Sequence, residues 1–535
     1  MPENHSSALT RYKEGALPLP HHYQRWHLYG AGIENVGKEG QPETVPLPTP
    51  GPNELLVRHD ACGICFSDIK IINLGGNHPR LAGRNLQTDP VVMGHEVALT
   101  IVAVGENLKH EFSVGARYIV QADIYYKGVN IAYGYAIAGG MSQFGLVGPE
   151  VLHGDEGNYL LPIADATGYV EAALVEPWAC VEAAYHWKHR TLPTEHGNFL
   201  VAIAMQKNGG WSAAPEVLVW EKGQPMPSPA NGKGFDDIGF VGTPSPEDFE
   251  NACSQLEKGG RVELRFDTPL VRPVNIDIGR VHYDGHMYVS SKENHRSELK
   301  AGGVAWFVGT AGPMGMMHVQ RALSLPHPPR LLVGTDRNDG RIAVLLERFG
   351  PIAQERGVTL RVFNVRDSGL PDLKALAPDG FDDIVVMVPS VAAIEESFPY
   401  LAQEGIMNVF AGVARGTMAT LPIDDVVFKN VRIVGTSGSS IADMRMVRNK
   451  LESGQLDTGA SLAAVGGLAA FRDGLQAVQG SRFPGKTVIF PQIPDLPLTA
   501  LPDLKTVRPE VYARLKDGKF WTHEAEDELL KESME

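Results

Sequence analysis

Three short stretches carry side chains that can do chemistry. "GICFSDIK" sets Cys65 in a turn beside Ser67 and Asp68, "MGHE" sets His95 and Glu96 side by side after a strand, and "LVEPWAC" sets Glu176 just before Pro177. Taken singly, each has an ordinary structural explanation, since lone cysteines pack inside and isolated polar pairs sit on surfaces. Together they supply one thiolate, one imidazole and two carboxylates, a ligand set suited to a zinc ion that keeps one position exchangeable. Cys180 lies four residues beyond Glu176 and competes for the same role. A fourth stretch, "GVAWFVGTAGPMGMMHVQRALSL", reads as a buried strand, a glycine turn and a helix. That order brings backbone N–H groups up to a phosphate.

These residues need a scaffold, and the chain predicts two kinds. After a proline-rich run, "VPLPTPGP", the segment from Glu54 to about Leu161 holds short β-branched runs between glycine turns, which predicts a compact β-barrel. "WACVEAAYHWKH" after Pro177 has helical spacing, with proline tolerated at the helix start. From Gly303 onward strands alternate with helical segments, so the fold class is α/β plus β-barrel, the α/β part a doubly wound parallel sheet.

The α/β part repeats. "GFDDIGFVGTP" from Gly234 returns as "GFDDIVVMVPS" from Gly380, an offset of 146. Further on, "NIDIGRVHYDGHMYVSS" from Asn275 meets "PIDDVVFKNVRIVGTSG" from Pro422, an offset of 147. The held register marks a duplication of strand–helix units. The copies are unequal: the earlier strand "NFLVAIA" is followed by "MQKNGGW", which is no phosphate-cradling glycine turn. The first copy is therefore expected to be a degenerate Rossmann-like duplicate that binds no nucleotide.

Composition narrows the partners. A length of 535 residues exceeds one core, and 43% hydrophobic with 21% charged residues describes a globular chain. The net charge of −15 argues against nucleic acid and anionic membranes as partners. The start lacks an apolar signal core, no run reaches membrane-spanning length, and four cysteines form no disulfide framework, so a cytoplasmic setting is expected.

With "ACGICFSD", "VVMGHEVALTIVAVGENL", "ALVEPWACV", "GTAGPMG" and "FPGKTVIFP" in this order, the chain resembles the zinc-containing medium-chain dehydrogenase/reductase family, nearest its polyol and sugar dehydrogenase branch. The resemblance covers roughly residues 22–190 and 300–490. It implies a GroES-like catalytic domain joined to a Rossmann domain, with the active site in the cleft between them. The expected organisation is 1–190 catalytic, 191–300 degenerate insert, 301–460 NAD-binding, 461–490 return to the catalytic domain and 491–535 extension.

By the same resemblance Cys65 and His95 are zinc ligands, Glu96 ligates in some states, and Glu176 is the third protein ligand. Ser67 begins a proton relay, and Lys70 stands near the position where the family often has a histidine. That lysine either continues the relay or meets an anionic substrate group. No structural zinc is expected, because the stretch from Gln121 to Gly148 lacks cysteine. "CGIC" also reads, weakly, as a redox pair.

The cofactor turn departs from the family's G-x-G-P-x-G: the register gives Thr310, Ala311, Gly312, Pro313, Met314 and Gly315, with a glycine displaced to Gly309. Asp336, 21 residues after Gly315, stands where an acid would bind the ribose hydroxyls, with Arg337 and Arg341 beside it. NAD is favoured over NADP.

The expected activity is hydride transfer between a secondary alcohol of a polyol, sugar or sugar derivative and NAD, by a homo-oligomer (dimer or tetramer). Two rivals stand behind it: a redox-neutral enzyme that retains its NAD, and a non-catalytic scaffold. His78, Tyr133 and His153 are candidates for lining the substrate pocket.

Overall fold

The computed structural model describes residues 7–81, 83–186, 190, 192–194, 197–202, 216–221, 223–229, 232–292 and 296–534. The chain divides into two compact units, Met1–Glu182 with Gly438–Glu535, and Ala183–Ser437.

The first unit is built on an eight-stranded sheet. Its order is Thr499–Ala500, Leu462–Gly467, Lys486–Phe490, Leu55–Ile64, Glu96–Val104, Arg117–Val120 and Leu160–Pro162, with Phe144–Val147 also paired to Leu55–Ile64. Leu55–Ile64 is buried along its whole length, so it reads as a continuous apolar run broken by polar residues that must be paired. They are: Arg58 Nε donates to Asp60 Oδ1 at 2.7 Å, and the hydroxyls of Tyr12 and Thr100 complete that carboxylate. The helix expected after Pro177 runs Val175–Ala183, with Pro177 inside its first turn, where a missing N–H costs no helix bond.

The C-terminal segment folds back on this same unit. Trp521 packs on Phe490, Asp527 pairs with Lys13, and Glu526 accepts the backbone N–H groups of Tyr169 and Val170 at the start of helix Tyr169–Ala173.

The second unit carries one eleven-stranded sheet in which both copies take part. The first supplies Glu216–Trp220, Asn198–Ala202, Phe235–Val241, Leu256–Arg265 and Met287–Ser290 in spatial order. The second continues with Arg432–Val434, Leu401–Val409, Phe381–Val386, Val304–Val308, Leu331–Asp336 and Thr359–Asn364. Pairing within each copy is parallel, as strand–helix alternation requires.

The duplication extends to individual bonds. Arg190 donates to Asp237 and to the carbonyl of Asp236, and Arg296 donates to Asp383 and to the carbonyl of Asp382. Asp236 accepts the N–H of Asn198, and Asp382 that of Val304. Ser245 caps helix Pro246–Ser254 and Ser390 caps Val391–Ser397 in the same way. Even the register shift is repeated, between Phe235 and Asp237 and between Phe381 and Asp383.

The offset, however, is not the single drift from 146 to 147 read in the sequence. It falls to 145 at the strands, where Arg261 and Ile406 occupy the same register. It rises to 147 only at Asp277 and Asp424, then returns to 145. The cause is local: the second copy's helix, Asp425–Phe428, is shorter than its counterpart Ile278–Asp284, and the flanking strands absorb the difference. The "MQKNGGW" stretch that led to the expectation of an empty first copy lies outside the described residues.

Candidate active site

In the first unit three adjacent strands end together. Ile64 closes one, Glu96 opens the next and Lys486 opens the third. Gly63 sits opposite Glu96, and a Cβ there would lie 2.1 Å from Glu96 Oε2, so only glycine lets this carboxylate cross the strand. Cys65 then caps helix Phe66–Leu74, with Asp68 Oδ2 accepting the Cys65 N–H at 2.9 Å.

The result is a group of ligand-type atoms: one each from Cys65, His95 and Glu96 lie within 4.8 Å of one another. Asp68 Oδ1 stands 3.5 Å from His95 Nδ1, and Ser67 Oγ stands 3.2 Å from His95 Nε2. Burial disfavours a charged His95, but Asp68 and then Cys65 outweigh it and raise its proton affinity well above that of a free imidazole. Lys486 Nζ donates to Glu96 Oε1 and to the Ile64 carbonyl. Glu96 Oε2 is buried without a hydrogen bond among the described residues. A buried carboxylate oxygen left over beside a thiol and an imidazole fits a divalent soft-to-borderline metal such as zinc.

Glu176 lies outside that group of three but is electrostatically tied to it. Burial raises its carboxyl to about 7, against the pull of His95 and with a push from Glu96. Cys180 Sγ lies 3.8 Å from Glu176 Oε1, and burial holds its thiol well above the usual range, as it does for Cys62. All four cysteines are free, and Cys62 is packed against Gly94 and Gly140.

Of the expected pocket residues, Tyr133 is fully buried with its hydroxyl 2.7 Å from His59 Nε2, and His153 is exposed. Tyr135 stands where a lining aromatic was sought, between His95 and His78 at 5.9 and 5.4 Å. Burial lowers His78 to about 4, helped by the positive charges of Arg80 and Lys70. Sequence reasoning missed Asp68, Lys486 and Tyr135. Asp68 had the signal of a residue three after a helix cap, and Lys486 sat inside "FPGKTVIFP"; Tyr135 had none.

The glycine turn lies in the second unit. Gly309 takes φ +85° at the end of strand Val304–Val308, doing the turning that the displaced Thr310 cannot. Thr310 donates its hydroxyl to the Phe307 carbonyl instead. Gly312 caps the twelve-residue helix Pro313–Ser324, with Met314 half-buried in its first turn. A Cβ on Gly315 would lie 2.3 Å from the Thr310 carbonyl oxygen. Asp336, at the end of the next strand, accepts the Ala311 N–H at 3.0 Å, the N–H groups of Arg337 and Asn338, and a guanidinium N–H of Arg341 at 3.0 Å. The acid expected to meet a ribose thus also ties its strand to the glycine turn.

Residues 51–155 match the alcohol dehydrogenase GroES-like domain family. The chain is 25% identical over 509 residues to the mannitol-1-phosphate 5-dehydrogenase of Aliivibrio fischeri, covering 92% of this chain and 95% of that one. It is 26% identical over 495 residues to the L-sorbose 1-phosphate reductase of Klebsiella pneumoniae, covering 91% and 94%. Among solved structures, 2R,3R-butanediol dehydrogenase from Bacillus subtilis shares the fold with a TM-score of 0.53 at 15% identity, over 88% of this chain and 99% of that chain. A zinc-binding dehydrogenase from Sinorhizobium meliloti bound to NADP does so with 0.52 at 16%, over 88% and 99%.

Proposed function

Proceeding from a chain that belongs to the medium-chain dehydrogenase/reductase family and is an oxidoreductase, we propose that it transfers a hydride between a secondary hydroxyl of a polyol phosphate or sugar phosphate and NAD. The observation that carries this reading is the convergence of Cys65, His95 and Glu96 within 4.8 Å, with Glu176 nearby as the third protein ligand. Zinc held there supplies Lewis acidity that eases proton loss from a hydroxyl, and the nucleotide supplies the hydride partner.

The chain's own residues do the rest. Asp68 orients the His95 ring, and Lys486 engages one Glu96 oxygen, leaving the other toward the metal side. Ser67 accepts the substrate hydroxyl's proton contact beside His95. Lys70, three residues on along the same helix, meets the substrate phosphate together with the positive field that depresses His78. Asp336 supports NAD, because a carboxylate repels a ribose 2′-phosphate. The four free cysteines support a reducing, cytoplasmic setting.

The test is metal content together with nucleotide reduction on a panel of polyols and their phosphates. About one zinc per chain, lost in Cys65→Ala and His95→Ala, is expected. Lys70→Gln should raise KM about 10-fold for phosphorylated substrates only, the loss of one charge-assisted bond. No zinc in protein supplied with it sinks the ligand assignment.

A further inference from the structure

The two copies meet edge to edge within one sheet, and the way they meet is symmetric. Strand Met287–Ser290 runs antiparallel to Arg432–Val434 with Tyr288 opposite Ile433. Nearby, Val274–Asp277 runs antiparallel to Met418–Leu421 with Asn275 opposite Thr420, whose hydroxyl donates to Asn275 Oδ1 at 3.0 Å. Both pairs are separated by 145 residues, the offset that also carries Ser245 to Ser390 and Glu250 to Glu395. Each residue therefore faces its own counterpart. On either side of Asn275, Val274 faces Leu421 and Ile276 faces Ala419, two contacts that exchange under the same offset. Glu250 accepts the N–H of Asn275 at 2.8 Å, and Glu395 that of Thr420 at 2.7 Å. A surface that meets its own copy in this reciprocal way is an isologous, two-fold interface.

What the first copy has kept points the same way. Its connection from Ala202 to Phe235 spans 32 residues, against 72 from Val308 to Phe381 in the second copy. Among the described residues it lacks a counterpart to Thr359–Asn364, the strand farthest from the junction, and keeps every strand near it. Its helix Ile278–Asp284 holds the second copy's segment after strand Leu401–Val409. His282 Nδ1 meets the Val409 carbonyl at 3.1 Å, Asp277 accepts the Gly416 N–H at 2.9 Å, and Asp284 pairs with Arg415 at 2.9 Å. That segment leaves the carboxyl end of a parallel strand, the side on which such sheets bind ligands.

We propose that the first copy is a resident partner subunit: within one chain it fills the two-fold interface that a second identical chain would otherwise fill. This sheet edge is closed to a second copy of the chain, and any self-association uses another surface. The truncated copy is retained for its interface and for the 409–417 segment that it braces, whatever substrate the enzyme takes.

The test uses the full chain with Asn275→Cys and Thr420→Cys together, oxidised and compared with the unaltered protein, whose own four cysteines serve as control. The expected result is a cross-link within one chain, with the denatured mass remaining at 58.0 kDa on non-reducing analysis. The thermal midpoint of the unaltered protein should not change over a 100-fold range of protein concentration, as an internal interface requires. A doubled denatured mass overturns the proposal, because the edge then pairs two chains. Failure of the double variant to cross-link overturns the register on which it stands. A midpoint that rises with concentration also counts against it.

Discussion

The two copies in the Ala183–Ser437 unit share an arginine clamp, a serine cap and a register shift, yet only the second carries a described glycine turn closed by an acid. The difference separates what a strand–helix unit needs to fold from what it needs to bind a nucleotide. The clamp joins the segment before the first strand to a buried acid on the strand next to it. It holds the unit together wherever the unit serves. The glycine turn does nothing for packing that a longer side chain could not do, and it survives only where backbone must come close to a ligand.

Breaking the functional side should have the largest effect. Gly315→Val places side-chain atoms into the carbonyls of Gly309 and Thr310, 2.5 and 2.3 Å from the new Cβ. Displacing the turn should lower kcat/KM by about 100-fold or more, with nucleotide binding lost in a fluorescence titration while the far-ultraviolet spectrum is retained.

Breaking the shared side should cost both copies alike. Arg190→Ala and Arg296→Ala each leave a buried aspartate, Asp237 or Asp383, without its guanidinium. Each should destabilise the protein by about 3 kcal/mol in denaturant unfolding. Nucleotide affinity should fall in Arg296→Ala and stay unchanged in Arg190→Ala; an equal fall in both would mean that the first copy has a binding role.

The smallest effect sharpens the contrast through pH. His286, in the first copy, is buried against the Glu257 carbonyl and lowered to about 4 by burial and Arg280, whereas Val431 holds its place in the second. The unfolded chain binds this proton near 6.5 and the folded chain only near 4, so stability falls as pH drops through that window, by roughly 2 kcal/mol at pH 5. His286→Gln should flatten this part of the profile. Hydrogen exchange should show the first copy's strands loosening with acid before those of the second.

Much of this was legible in the chain. Strand runs such as "RLLVGTD" and "FDDIVVM" gave their elements away through apolar continuity, and the repeated "GFDDI" announced the duplication because both copies need the same acids for the same clamp. Cys65, His95 and Glu96 were readable as ligands from residue type. Their supports were not: Lys486 reaches Glu96 across 390 positions, and no local pattern records which carboxylate a distant lysine will meet. Asp336 was readable as a strand-end acid but not as the acceptor of Ala311 N–H, which depends on how tightly the turn folds over it. The offset was misread for a similar reason, since a shortened helix hides within a run of similar letters.

The sequence by itself determined the types of element, the presence of two copies and the chemistry available to the first unit. Periodicity and side-chain type act over a few residues, and those properties are local. Only the tertiary structure decided that the copies join antiparallel, edge to edge, with Tyr288 on Ile433 and Asn275 on Thr420. Strand edges offer the same backbone groups to any partner. Which edge meets which depends on the global packing that buries their faces, and no stretch of sequence carries that alone.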